Sequence, residues 1–242
     1  MKKTIFAFLL FSAPLLLCAQ PEPNQGESLN YKIITGQFEK GEAEQQDAYR
    51  QLFGPDETLY KFDLYFHWYN VAHEYAHCIL DYYGKSVGGV HEEILANKFA
   101  VKYWKSVGCI DELATLEKLL NDRLSLFPNP VPKGKTLEGW YTEIWGSSKM
   151  MNAAVYGYLQ FKGVLIAMDD SDDLASWFTE VGIDGFSKPT NYDSVKYPIE
   201  AASAAKVLND LQKYMQKSGL NIPAVGLELI DDPMTHCSKK VE

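Results

Sequence analysis

The longest helical pattern in the chain runs from about Glu57 to Tyr83. Phe62, Tyr65, Phe66, Tyr69, Ala72, Ala76, Ile79 and Leu80 recur at helical spacing, and Gly84 offers a stop. Gly84–Val90 reads as a loop, and His91–Val107 as a second helix with Ile94, Phe99, Ala100, Tyr103 and Trp104 turned inward. Asp111 can cap a third helix whose stripe is Leu113, Leu116, Leu119, Leu120 and Leu124. Leu137–Trp145 predicts a short helix and Ser147–Met168 a long apolar one. Asp170 or Ser171 can cap a helix over Asp172–Val181, and Pro198 suits the first turn of a final amphipathic helix ending near Gly219. Strand signal is sparse: Tyr31–Thr35 is β-branched and short, a candidate edge strand. Lys40–Arg50 is polar and helix-permissive. Gly54-Pro55-Asp56 and Phe127–Gly134 read as loops, Gly182–Tyr197 as an irregular loop and Leu220–Glu242 as a tail. The pattern therefore predicts a mainly α fold, an α+β arrangement with a minor sheet. Residues 31–242 form a single domain in this reading, because no repeat or composition shift divides them.

Composition narrows the function classes. The chain has 242 residues, 46% of them hydrophobic, enough for one sizeable core. Its net charge of -9 comes without a basic stripe, which argues against a nucleic-acid partner. Lys2 and Lys3 precede the apolar run Ile5–Leu17, the pattern of an export signal over residues 1–19 with a cut after Ala19. Residues 20–30 are then a polar linker. Export to the periplasm or the medium is expected, with lipid attachment at Cys18 as the alternative. Met150–Met168 approaches membrane-spanning length, but Asn152, Gln160 and Lys162 lie inside it. A charge at mid-helix costs roughly 2.5–3.5 kcal/mol on insertion, so no transmembrane helix is expected in the mature chain. Cys109 and Cys237 could bridge in an oxidising compartment, and Cys78 reads as a small buried residue.

Chemistry concentrates at His73-Glu74-Tyr75-Ala76-His77, an H-E-x-x-H pattern. Residues four apart on a helix share a face, with Cβ atoms about 5–6 Å apart. Two imidazoles so placed can hold one Zn²⁺ per chain, while Glu74 leans to the edge of that face as a general base for a metal-activated water. A catalytic zinc usually takes a third protein ligand. Leu80 and Tyr83 occupy the positions where an extended motif would carry glycine and histidine, so the third ligand must come from another helix. Glu93, Glu92 and His91 open that helix. Glu93 is preferred: Asn97 lies four residues on, placed to hydrogen-bond a ligand histidine, and Ala96 and Ala100 on the same face permit close helix approach. Glu92 shares its face with Leu95, Phe99 and Tyr103 and reads as part of a core stripe.

His73-Glu74-x-x-His77 followed by Glu93-x-x-Ala96-Asn97-x-Phe99-Ala100 resembles a gluzincin metallopeptidase, over about residues 60–105. The second run is similar to that of ImmA/IrrE-type peptidases, and its Glu93-x-x-x-Asn97 spacing resembles thermolysin-type enzymes. The resemblance implies a zincin-like helical core, His73, His77 and Glu93 as zinc ligands, Glu74 as catalytic base, Asn97 behind the ligands, and a peptide or protein substrate. It also implies a Tyr or His that stabilises the oxyanion. Tyr141, Tyr156, Tyr158, Tyr192 and His236 are candidates, with Tyr158 on the long helix preferred. ImmA/IrrE-type proteins are cytoplasmic, whereas the leader of this chain predicts export. The expectation from another class is a catalytically silent zincin-like binding or scaffold protein of the envelope.

Overall fold

The computed structural model describes residues 30–190, 192 and 204–231. The expected leader, Cys18, Pro198, His236 and Cys237, and hence the Cys109–Cys237 pairing, lie outside the described residues. In chain order the elements are β1 (Asn30–Gly36), α1 (Ala43–Phe53), α2 (Thr58–Phe62), α3 (Asn70–Tyr82), α4 (Gly89–Ser106), α5 (Ile110–Leu124), α6 (Leu137–Ile144), α7 (Ala153–Met168), α8 (Leu174–Glu180), α9 (Ala204–Lys217) and β2 (Ala224–Ile230). Among the described residues the fold is mainly α with one small sheet, as the apolar pattern predicts.

The helix expected between Glu57 and Tyr83 is continuous from Thr58 to Tyr82, but its middle is not α. Asp63–Tyr69 is a π-helix, closed by the Asn70 N–H donating to the Tyr65 carbonyl. Such widened turns occur preferentially next to functional sites. His67 ties this segment to the end of β1, its Nε2 standing 2.8 Å from the Gly36 carbonyl and its Nδ1 2.8 Å from Asp63 Oδ1. Trp68 stacks on Trp104 of α4 at 4.1 Å between centroids.

Helices α3 and α4 pack directly on each other. Ala72 and Ala76 on one, and Ala96 and Ala100 on the other, are fully buried, so small side chains let the backbones approach. Helix α7 lies across α4, and α8 anchors to it through Trp177 Nε1, which donates to the Leu95 carbonyl at 2.8 Å. The fully buried Lys102 of α4 reaches Asp170 Oδ1 at 3.1 Å and Ser176 Oγ at 3.4 Å. Replacing Lys102 with Ala removes a buried cation from its partner and leaves a cavity. The expected loss is about 2–3 kcal/mol, measured as a lower urea midpoint with an unchanged slope.

Several boundaries differ from the sequence reading for local reasons. The long apolar helix begins at Ala153 because Asn152 is its cap, its Oδ1 accepting from the Ala154 and Val155 N–H groups. That leaves sixteen residues, short of the ~20 a membrane span needs, and among the described residues no helix is long and apolar enough to cross a membrane. Asp173, not Asp170 or Ser171, caps α8. Asp111 sits in the first turn of α5 while Cys109 occupies the cap position. The expected tail contains β2, which pairs parallel with β1 in the register Ile33↔Leu227. Tyr31, Ile33, Ile34 and Thr35 are all buried, so β1 is covered on both faces, as parallel strands require.

Candidate metal centre

The π-helical segment, α3, α4 and α7 together build one buried polar cluster. His73 and His77 project from one face of α3 toward Glu93 in the first turns of α4. His73 Nε2 and His77 Nε2 are 3.3 Å apart, His73 Nε2 is 3.4 Å from Glu93 Oε2, and His77 Nε2 is 3.9 Å from Glu93 Oε1. One ligand atom from each of the three lies within 4.8 Å of the others, and the group can hold a metal ion.

The hydrogen bonds behind the ligands decide which nitrogens face inward. Asn97 Oδ1 accepts from His73 Nδ1 at 3.0 Å and from the Tyr69 hydroxyl at 2.9 Å. Glu92 Oε1 accepts from His77 Nδ1 at 2.8 Å. Both acceptors fix the proton on Nδ1 and leave the Nε2 lone pair free, the tautomer a metal ligand needs. Without a cation, two lone pairs would then confront each other across 3.3 Å. Two nitrogens each 2.0–2.1 Å from one tetrahedral ion stand about 3.3 Å apart. The arrangement therefore suits a shared cation.

Glu74 supplies the second fit test. Its Oε1 accepts from Asn70 Nδ2 at 3.0 Å, whereas its Oε2 is buried with no partner among the described residues. A buried carboxylate oxygen left bare is costly, and a water held by a metal would satisfy it. Burial pushes the Glu74 carboxyl up to about 8; the Glu93 charge adds to the rise, and His77 and the Asn70 bond oppose it. Glu93 moves the other way. Burial would raise it, but the bond and charge of His73, the charge of His77 and the bond from Gln160 outweigh that and lower it.

The structure thus brings His73, His77, Glu93, Glu74 and Asn97 together. His91 and Tyr158 fall elsewhere. His91 is two residues, about 200°, round the helix from Glu93, and pairs on the surface with Glu138 at 2.9 Å. Tyr158 is likewise about 200° from both Tyr156 and Gln160 on α7, and its neighbour is Tyr141. Tyr156 is the phenol on the metal-facing side. Burial raises its pKa well above the ordinary value, and the Glu93 and Glu74 charges add to it, so it keeps its proton.

Sequence reasoning missed two partners. Glu92 is not part of a core stripe: besides His77, it accepts from Ser86 Oγ and from the Val87 and Gly88 N–H groups at 2.6–2.8 Å. Burial raises its pKa, but these bonds prevail and hold it at about 2. A carboxylate three residues past a Ser-Val-Gly-Gly loop can reach back to that loop's free N–H groups, and this was the available signal. Gln160 donates from α7 to Glu93 Oε2 at 3.2 Å. Its only trace was a polar interruption in an apolar helix. No family model matches the chain, and neither any curated protein nor any solved structure matches it.

Proposed function

We propose that this protein is an exported zinc-dependent metallopeptidase. The observation that carries the reading is the convergence of two Nε2 atoms and the Glu93 carboxylate beside the unpartnered Oε2 of Glu74. Two histidines and a glutamate are a donor set of hydrolytic zinc sites, which keep one position for water. When bound, zinc supplies Lewis acidity that acidifies that water and polarises a carbonyl. Glu74 Oε2, buried beside the three ligand atoms, would accept the proton of the attacking water and return it to the leaving amine. Asn70 holds the carboxylate in place through Oε1. In this reading the Tyr156 hydroxyl, rather than that of Tyr158, donates to the developing oxyanion. The charged and apolar leader at Lys2–Leu17 supports export.

Metal analysis of the purified mature chain, paired with a broad peptide library, tests the reading. Expected are about one zinc per chain and cleavage that stops with chelator and returns with zinc. Iron in place of zinc would overturn the metal assignment, because two histidines and a carboxylate also suit iron. Stoichiometric zinc without cleavage of any peptide would instead favour the catalytically silent binding protein.

A further inference from the structure

The two motif helices do not complete the cluster by themselves. Glu93 is buried, and its Oε2 has a donor from a third helix: Gln160 Nε2 at 3.2 Å. Gln160 stands on the stripe Tyr156, Gln160, Gly163 of α7, an i, i+4, i+7 face directed at α4. The Tyr156 hydroxyl interacts with the same amide. Gly163 is what lets this face come so close. A Cβ there would stand 3.0 Å from Asn97 Nδ2, the amide that orients His73 through its other atom. One face of α7 therefore abuts both Glu93 and Asn97.

We infer that Gln160 is the positioning residue of the metal ligand Glu93, holding its carboxylate by one oxygen so that the group binds the ion through a single atom and a coordination position stays open. This rests on the metal-centre reading above. The physical reason is directional. A carboxylate has two equivalent oxygens, and with no partner it can rotate to offer both to a cation. A neutral amide N–H fixed on one oxygen breaks that equivalence. It does so without the competing charge that a lysine or arginine would bring to a cation site. Glutamine also has the length to span from one helix to the next, which asparagine on the same backbone lacks.

The test is zinc affinity, measured by competition with a chromophoric chelator on the full mature chain. Gln160→Met keeps the length and helix preference but removes the donor. Its zinc affinity is expected to fall 10–100-fold, with wild-type helical circular dichroism. Gln160→Asn, which keeps the amide but lacks the reach to Glu93, covers the case in which the Met variant fails to fold, and the same fall in zinc affinity is expected of it. Affinities within twofold of wild type for whichever of the two variants folds overturn the proposal while leaving the metal centre standing. A wild-type chain that takes up no zinc overturns the metal centre itself. The readout does not depend on peptidase activity, so loss of the peptidase reading leaves the positioning role of Gln160 measurable.

Discussion

The Glu74→Gln variant is expected to keep about one zinc per chain and to lose hydrolysis by roughly 10³-fold or more, about 4 kcal/mol of transition-state stabilisation. The substitution is isosteric. The amide oxygen of Gln can still accept from Asn70 Nδ2, which stands 3.0 Å from Oε1. What changes is the other terminal atom. Glu74 Oε2 is a buried acceptor with no partner among the described residues, whereas the Gln amide nitrogen presents N–H donors and no lone pair. It can neither receive a proton from water nor pass one to an amine. Zinc retention follows because Glu74 is not one of the three converging ligands. Replacing one buried carboxyl beside Glu93 with an isosteric amide also gives no reason for the metal-free variant to be less stable. Zinc content and kcat/KM on the same preparation separate these effects. Undiminished cleavage by a zinc-loaded Glu74→Gln chain would remove Glu74 from the mechanism.

That variant could have been chosen from the sequence, and the reason is local. His73, Glu74 and His77 lie within five residues, and a helix of known pitch fixes their relation. Glu93 and Asn97 were also legible, because only one short loop separates α3 from α4 and small residues mark the facing surfaces. The parts that stayed hidden depend on distant pairing. Gln160 meets Glu93 across 67 residues of chain, and periodicity along α7 marks its buried residues without saying which face meets which neighbour. Tyr156 and Tyr158 differ by half a turn, so the helix register decided between them and the sequence did not. The same holds for β2, whose partner β1 is almost the whole chain away. Glu92 was misread for a different cause. Two of its three loop partners, the Val87 and Gly88 N–H groups, leave no side-chain signature, and Ser86 alone supplies a side chain.

Removal of metal is the second large effect. Zinc added to the metal-free chain at about a thousand times its dissociation constant is expected to stabilise it by about 4 kcal/mol, since it binds the folded state and not the unfolded one. For a chain of this size that is a rise in melting temperature of roughly 8–16 °C. Metal-free, the site holds His73 and His77 with Nε2 atoms 3.3 Å apart, beside two buried carboxylates. Each of those contacts improves when a cation enters. His73→Ala takes away one ligand, strands the Asn97 and Tyr69 pair that oriented it, and leaves an incomplete donor set. Its zinc-induced rise is expected to fall to within a degree or two of zero. His91→Ala is the control, because His91 is exposed and pairs with Glu138 on the surface; it should keep the full wild-type rise. Calorimetry or a dye-based melt with and without zinc reads all three chains. Equal shifts in wild type and His73→Ala would mean that zinc binds elsewhere, and the cluster at His73, His77 and Glu93 would then be a hydrogen-bonded knot joining α3, α4 and α7 with no metal at its centre.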